Sequence, residues 1–167
     1  MRETEFMYKV GIGYDIHRLV PKRKLVLGGV RIAHAKGLLG HSDADVVLHA
    51  ICDALLGAVS ASDIGHQFPD SDPQYKNISS LKLLGKVETI ISKKGYFVDH
   101  VDTMILCEAP RMSGYKEKMK ARIAKVLKIK KDQISIKATT NEGVSFIGRE
   151  EAIAAMAVCL IQKRRTS

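Results

Sequence analysis

The hydrophobic period of this chain switches between two residues and about 3.6 several times within 167 positions, which commits it to a mixed fold. Residues 8–14 alternate as a strand, and 25–32 read as a hairpin turning at Gly28-Gly29, a pair that two-residue turns favour. Val46, Val47, Ala50, Ile51, Ala54, Leu55 and Ala58 keep helical spacing behind a cap at Ser42 or Asp43. A second helix is expected over 80–93, then a strand from 96 or 97 to 108 that stops before Pro110, because proline cannot donate to a ladder. A basic helix over 115–127, a strand over 134–138 and an alanine-rich helix over 150–162 complete the reading. No repeat or Pro-rich linker interrupts this order. The expectation is one domain, 1–167, of class α+β: a two-layer sandwich with a mainly four-stranded sheet and helices on one face.

Hydrophobic residues make up 46% and charged residues 27%, enough for a packed core and too apolar for wholesale disorder. Every apolar run breaks well short of the about 18 residues a membrane span needs, so no membrane partner is expected. Lys and Arg outnumber Asp and Glu by 27 to 18, and the resulting +9 favours polyanions such as phosphorylated small molecules or nucleic acid. Trp is absent and aromatics reach only 5%, so few platforms exist for stacking bases, and a nucleic-acid-binding module is the weaker alternative. Much of the charge lies in 116–131 and in Lys163, Arg164 and Arg165, read as a solvated helix face and a frayed end. Cys52, Cys107 and Cys159 are far apart in apolar surroundings and read as small buried hydrophobes of a reducing compartment. Residues 1–7 carry Arg2, Glu3 and Glu5 without an apolar leader, so a cytoplasmic location is expected.

Asp15 and His17 lie two apart at a strand end, where alternation points both side chains the same way. With His49, on the polar face of the first helix, they make a two-histidine, one-carboxylate set suited to Zn²⁺ with an open fourth position. Asp45 and Asp53, one helical turn either side of His49, are candidates for orienting it. The plainer readings are a turn cap at Asp15, a surface His17 and ordinary helix positions for the others. Two polar clusters suit phosphate: Gly40-His41-Ser42-Asp43 running into a helix N-terminus, and Thr139-Thr140-Asn141-Glu142-Gly143 after a strand. Glu142 there suits a hard cation such as Mg²⁺. Polar turns read the same way.

The motifs Gly11-Ile12-Gly13-Tyr14-Asp15-Ile16-His17-Arg18, Gly40-His41-Ser42-Asp43-Ala44-Asp45 through Leu48-His49-Ala50, Asp63-Ile64-Gly65 with Phe68-Pro69-Asp70-Ser71-Asp72-Pro73, and Lys137-Ala138-Thr139-Thr140-Asn141-Glu142 occur here in one order. Together they resemble the 2-C-methyl-D-erythritol 2,4-cyclodiphosphate synthases of non-mevalonate isoprenoid biosynthesis, over about residues 8–161. The resemblance implies a substrate, 4-diphosphocytidyl-2-C-methyl-D-erythritol 2-phosphate, whose own 2-phosphate attacks the β-phosphorus and releases CMP. It implies Zn²⁺, one per subunit, on Asp15, His17 and His49, with Mg²⁺ or Mn²⁺ near Glu142. It makes His41 and Thr140 the catalytic stabilisers. Asp15, Ile16, His17, Ser42, Asp63, Ile64, Gly65, Phe68, Pro69, Asp70, Ser71 and Asp72 are implied substrate contacts. Cys107, Glu108, Ala109, Pro110, Arg111, Met112 and Ser113 would read cytosine largely through backbone groups, while Thr139 and Thr140 reach the phosphates from a neighbouring subunit and Asn141 and Glu142 are further substrate contacts.

The implied assembly is a homotrimer with active sites between subunits, and Phe146 and Arg149 match the lining of a central cavity that takes an isoprenoid diphosphate in relatives. Two positions depart from the pattern. Arg111 stands where many relatives have Lys, and Met156, read as part of the closing helix, stands where some have Glu, which weakens any Arg-to-Glu arrangement in that cavity. A zinc-dependent phosphohydrolase, activating water at the open position, would use the same three ligands.

Overall fold

The computed structural model describes residues 7–164; the leader reading at residues 1–6 and Arg165 of the basic tail lie outside them. Five strands form the main sheet: β1 (Tyr8–Pro21), β4 (Lys36–Leu38), β5 (Tyr96–Leu106), β6 (Ile134–Thr139) and β7 (Ala152–Lys163). Their order is β4-β1-β7-β5-β6, antiparallel throughout except for the parallel β5/β6 pair. A separate hairpin joins β2 (Leu25–Leu27) to β3 (Val30–Ile32). The helices are α1 (Val46–Ala58), α2 (Ile64–Gln67), α3 (Ser80–Lys93), α4 (Lys116–Leu127) and α5 (Ser145–Gly148). The α+β expectation holds, with five strands rather than four in the main sheet, because β4 adds three residues along the end of β1.

The largest correction is at the C-terminus, where the stretch read as a helix over 150–162 is the strand β7. Alanine favours helices in isolation, but Ala155 and Ala157 lie between β1 and β5 on the face where α1 packs, and there a small side chain is what fits. Met156, Val158 and Leu160 alternate outward with Ala157, Cys159 and Ile161 inward, the two-residue period of a strand. Met156 therefore belongs to the sheet and not to a helix.

Gly11 and Gly13 of β1 let α1 approach this closely. A Cβ at Gly11 would sit 2.8 Å from Ala58 N and closer still to Ala54 O, and one at Gly13 would sit 2.8 Å from Ala54 N and inside Ala50 O. Helix backbone thus rests directly on strand backbone, and Leu48, Ile51, Leu55 and Leu56 of α1 are wholly buried.

The α1 cap is Asp45, not Ser42 or Asp43. Its carboxylate accepts from Leu48 N at 3.2 Å, and also from Gly28 N at 2.9 Å and Gly29 N at 2.6 Å, whose φ of 57° and 72° aim both N–H groups at it. The Asp45 carboxylate is thereby spent on the hairpin turn and the helix cap; its only bond to His49 runs between backbone groups, His49 N to Asp45 O at 3.0 Å, so it does not orient the ring as expected. The basic helix buries Met119, Ile123, Ala124 and Leu127 along one stripe and leaves its lysines outward.

Among the described residues, much of the opposite face of the sheet is exposed. Register places Met156 between Tyr14 and Met104, Val158 beside Ile12, and Leu160 beside Val10. Val10 and Ile12 keep 64% and 66% exposure. The three cysteines are free and buried, and burial raises each thiol pKa, that of Cys107 to about 11. Among the described residues no helix is long and apolar enough to cross a membrane.

Candidate active site

Asp15 and His17 leave β1 near its join with β4, and His49 reaches toward them from the first turn of α1. Asp15 Oδ2 lies 3.0 Å from His17 Nε2 and 2.9 Å from His49 Nδ1, and the two imidazole nitrogens are 3.3 Å apart. For donors about 2.0–2.2 Å from a tetrahedral ion the donor-to-donor edge is about 3.3–3.6 Å, so this triangle needs to open only slightly to hold one. It is the only group of three or more His, Cys, Asp or Glu among the described residues arranged to do so. His17 Nδ1 donates to Leu39 O at 2.7 Å, so Nε2 is the nitrogen that faces Asp15 and His49, with a proton to donate when the ring is charged and a lone pair when it is neutral. Burial by itself would raise the Asp15 pKa, but hydrogen bonds and charge from His17 and His49 outweigh it and hold the carboxyl well below its usual range. Burial would lower the His17 pKa, and the same Asp15 contact raises it overall.

These donors face a cavity of about 360 Å³ lined also by Gly40, His41, Ser42, Ile64, Gly65, Phe68, Pro69, Asp70, Tyr75, Ile78 and Leu83. His41 Nε2 is buried and has no hydrogen-bond partner, an acceptor or donor held ready for something that enters. Ser42 Oγ accepts from Ala44 N at 3.1 Å and lies 3.2 Å from His49 Nε2. Asp63, Ser71 and Asp72 do not line the cavity: Asp63 caps α2 through His66 N, and Asp72 caps the turn at Pro73–Tyr75 through Gln74 N. Ile16 alternates to the other side of β1 and is likewise absent from the wall. Asp53 does not orient His49; its Oδ1 accepts from Ile64 N at 2.8 Å.

A second cavity of about 280 Å³ is lined by Cys107, Glu108, Pro110, Arg111, Met112, Ala138, Thr139 and Thr140. Beside it Thr140 Oγ1 donates to Glu142 Oε1 at 2.9 Å, and Glu108 Oε1 accepts from Asn141 N at 2.7 Å. Ala109, Ser113, Asn141 and Glu142 are not part of this wall. The two cavities share no residue. Phe146 and Arg149 line neither, and Arg149 Nε donates to Glu151 Oε1 at 2.8 Å.

Sequence reasoning missed Ser80, Tyr75, Ile78 and Leu83. Ser80 Oγ lies 3.0 Å from His49 Nε2, and the paired serines before the second helix were the only trace of it in the sequence.

The YgbB family model matches residues 8–162. The chain belongs to the YgbB family. Among its relatives, the 2-C-methyl-D-erythritol 2,4-cyclodiphosphate synthase of Syntrophus aciditrophicus is 55% identical over 157 residues, covering 94% of this chain and 99% of its own. That of Thermosynechococcus vestitus is 56% identical over 154 residues, covering 92% and 96%. Among solved structures, the IspF of Plasmodium falciparum in complex with CDP aligns with a TM-score of 0.84 at 33% identity, over 96% of this chain and 100% of that one. The bifunctional IspDF of Campylobacter jejuni aligns with a TM-score of 0.91 at 34% identity over 95% of this chain, which spans 43% of that larger protein. The YgbB match thus covers β1 through β7 and includes both cavities.

Proposed function

We propose that this YgbB chain is a cytoplasmic enzyme, a phosphorus-oxygen lyase, that converts 4-diphosphocytidyl-2-C-methyl-D-erythritol 2-phosphate to 2-C-methyl-D-erythritol 2,4-cyclodiphosphate and CMP. The carrying observation is the triangle of Asp15, His17 and His49 on the wall of a cavity that also holds an unpartnered His41 Nε2, in a chain 55% identical to a synthase of that name. One oxygen of the 2-phosphate forms a bond to the β-phosphorus while the bond from that phosphorus to the bridging oxygen breaks, and CMP leaves with the electron pair. No water is consumed. Catalysis of this kind is mainly positioning and charge neutralisation.

Zn²⁺ held by the triangle, and Mg²⁺ or Mn²⁺ near Glu142, would polarise phosphate oxygens and offset charge moving onto CMP. Ser42, whose oxygen already accepts from Ala44 N, has its hydroxyl proton free to donate to a phosphate, and His41 Nε2 stands beside it in the same wall. Ile64, Gly65 and Phe68 supply a largely apolar wall against the erythritol carbons. The segment Cys107 to Ser113 would read cytosine, with Cys107, Glu108, Pro110, Arg111 and Met112 of it on the wall of the second cavity, where Thr139 and Thr140 would grip phosphate.

Because the two cavities share no residue, the reading assigns one substrate to two halves from neighbouring copies, assembled as a homotrimer. The bare row of Val10, Ile12, Tyr14, Met156 and Val158 supports such an assembly, since an exposed apolar sheet face is costly unless covered. Residues 1–167 then form one synthase domain with its core at about 8–161, in line with the family match over 8–162. An isoprenoid diphosphate near Phe146 and Arg149 is the weaker element of the proposal, for Arg149 is already paired with Glu151 and Met156 brings no charge.

Incubation with substrate and Mg²⁺, followed by phosphorus NMR, tests the reading. The expected products are the cyclic diphosphate and CMP. Water-derived inorganic phosphate or a linear product would instead identify the zinc-dependent phosphohydrolase.

A further inference from the structure

The loop that leads into α1 is strapped to the start of α3. Asn77 N donates to His41 O at 2.9 Å, Asp43 N donates to Ile78 O at 3.1 Å, and Asp43 Oδ2 accepts from Ser80 N at 3.1 Å. Ser80 Oγ also donates to Asp43 Oδ1. Ser80 is fully buried, and its own residue Ser79 offers α3 no side-chain cap, so Asp43 supplies the cap from outside the helix.

That arrangement fixes the direction of every proton in the chain. A carboxylate only accepts, so the single Ser80 hydroxyl proton is committed to Asp43. Toward His49 Nε2, 3.0 Å away, Ser80 Oγ can then only accept, which requires the proton of a neutral imidazole to sit on Nε2. His49 Nδ1 is left with its lone pair, 2.9 Å from Asp15 Oδ2 and 3.3 Å from His17 Nε2. Ser42, at 3.2 Å from the same Nε2, cannot do this alone because its proton is uncommitted and could point either way.

We propose that Ser80, held by Asp43, is the positioning residue that sets the tautomer and ring orientation of His49 and so presents Nδ1 to the metal. The inference rests on the metal-dependent reading above. Ser80 matches the pattern by which a metal-binding histidine donates its remote N–H to a fixed acceptor, here a hydroxyl backed by a carboxylate. His17 does the same with the Leu39 carbonyl, so the two imidazoles are locked by different devices toward one point.

The test is zinc affinity, measured by chelator competition on the full chain, together with nitrogen NMR of the zinc-loaded protein. Ser80→Ala is expected to weaken zinc binding about 10–100-fold. Ser80→Thr, which keeps the hydroxyl, should stay within about threefold of wild type. In wild type the His49 imidazole proton should be seen on Nε2, a result that does not depend on any variant folding. Unchanged affinity in Ser80→Ala, an equal loss in Ser80→Thr, or a His49 proton on Nδ1 would each overturn the proposal. Failure of the wild-type chain to bind zinc at all would instead remove the metal-dependent reading on which it stands.

Discussion

Asp53 Oδ1 accepts the backbone N–H of Ile64 at 2.8 Å, so a carboxylate on α1 holds the first residue of α2 in place. Ile64 and Gly65 belong to the wall of the main cavity and Phe68 follows directly. Asp53→Ala removes this tether without touching the metal triangle. A lost hydrogen bond to a charged group is worth about 1.5–3 kcal/mol at most, so KM should rise roughly 10–100-fold while zinc content is unchanged. Steady-state kinetics decide it: a fall in kcat at constant KM would show that α2 acts in the transition state and not in substrate binding.

In the proposed homotrimer the zinc ligands and the phosphate grip would belong to different halves of one shared site, in two cavities that share no residue within a chain. His49→Ala should lose bound zinc and activity but remain a trimer by sedimentation. Mixed with Thr140→Val after subunit exchange, it should regain part of the activity, because a mixed trimer contains one interface with both halves intact. Activity in an isolated monomer, or no recovery after verified exchange, counts against the shared site.

Gly11 carries no side chain because α1 occupies the space where one would be. Gly11→Ala should destabilise the fold by about 3 kcal/mol or more, at the upper end of overpacking effects. Gly57, the exposed position in the otherwise buried last turn of the same helix, has nothing within 4 Å of where a Cβ would sit. Gly57→Ala should therefore stabilise by about 0.5–1 kcal/mol. Urea denaturation of both variants separates a packing constraint from a general intolerance of alanine.

Burial pushes the Asp45 carboxyl up to about 6, against the pull of the Gly29, Gly28 and Leu48 N–H groups. Its folded pKa exceeds the unfolded one, so its contribution to stability is full below about pH 4 and declines as pH rises through about 6. Asp45→Asn cannot accept from all three donors and should be less stable overall, yet it should lack this decline. The upward shift of His17 acts in the same direction but is common to both proteins and cancels in their difference. Denaturation at several pH values from 4 to 7 reads the result, and parallel profiles for the two proteins would refute it.

Much of the site was legible because strand alternation and helix spacing are local rules. Asp15 and His17 two apart on β1, and His49 on the first helix, needed no tertiary knowledge to be grouped. The α1 cap lies two or three residues beyond the expected Asp43 or Ser42 because Asp45 answers to a hairpin turn 16 and 17 positions away. Likewise β7 reads as a helix because alanine content reports intrinsic preference, whereas Ala155 and Ala157 are small because a helix lies above them. Ser80 and Asp43, separated by 37 positions, are joined only by packing, and no pattern in the chain announces that pairing.

Gly13 lies two residues before Asp15, and its missing side chain lets Ala50, the neighbour of His49, settle against β1. The gap between strand and helix is therefore a caliper whose jaws carry Asp15 and His49, two of the proposed metal ligands. A substituent at position 13 would prise those jaws apart without touching either side chain, so on the proposed reading the span of the triangle is set by a residue that can itself touch no ion.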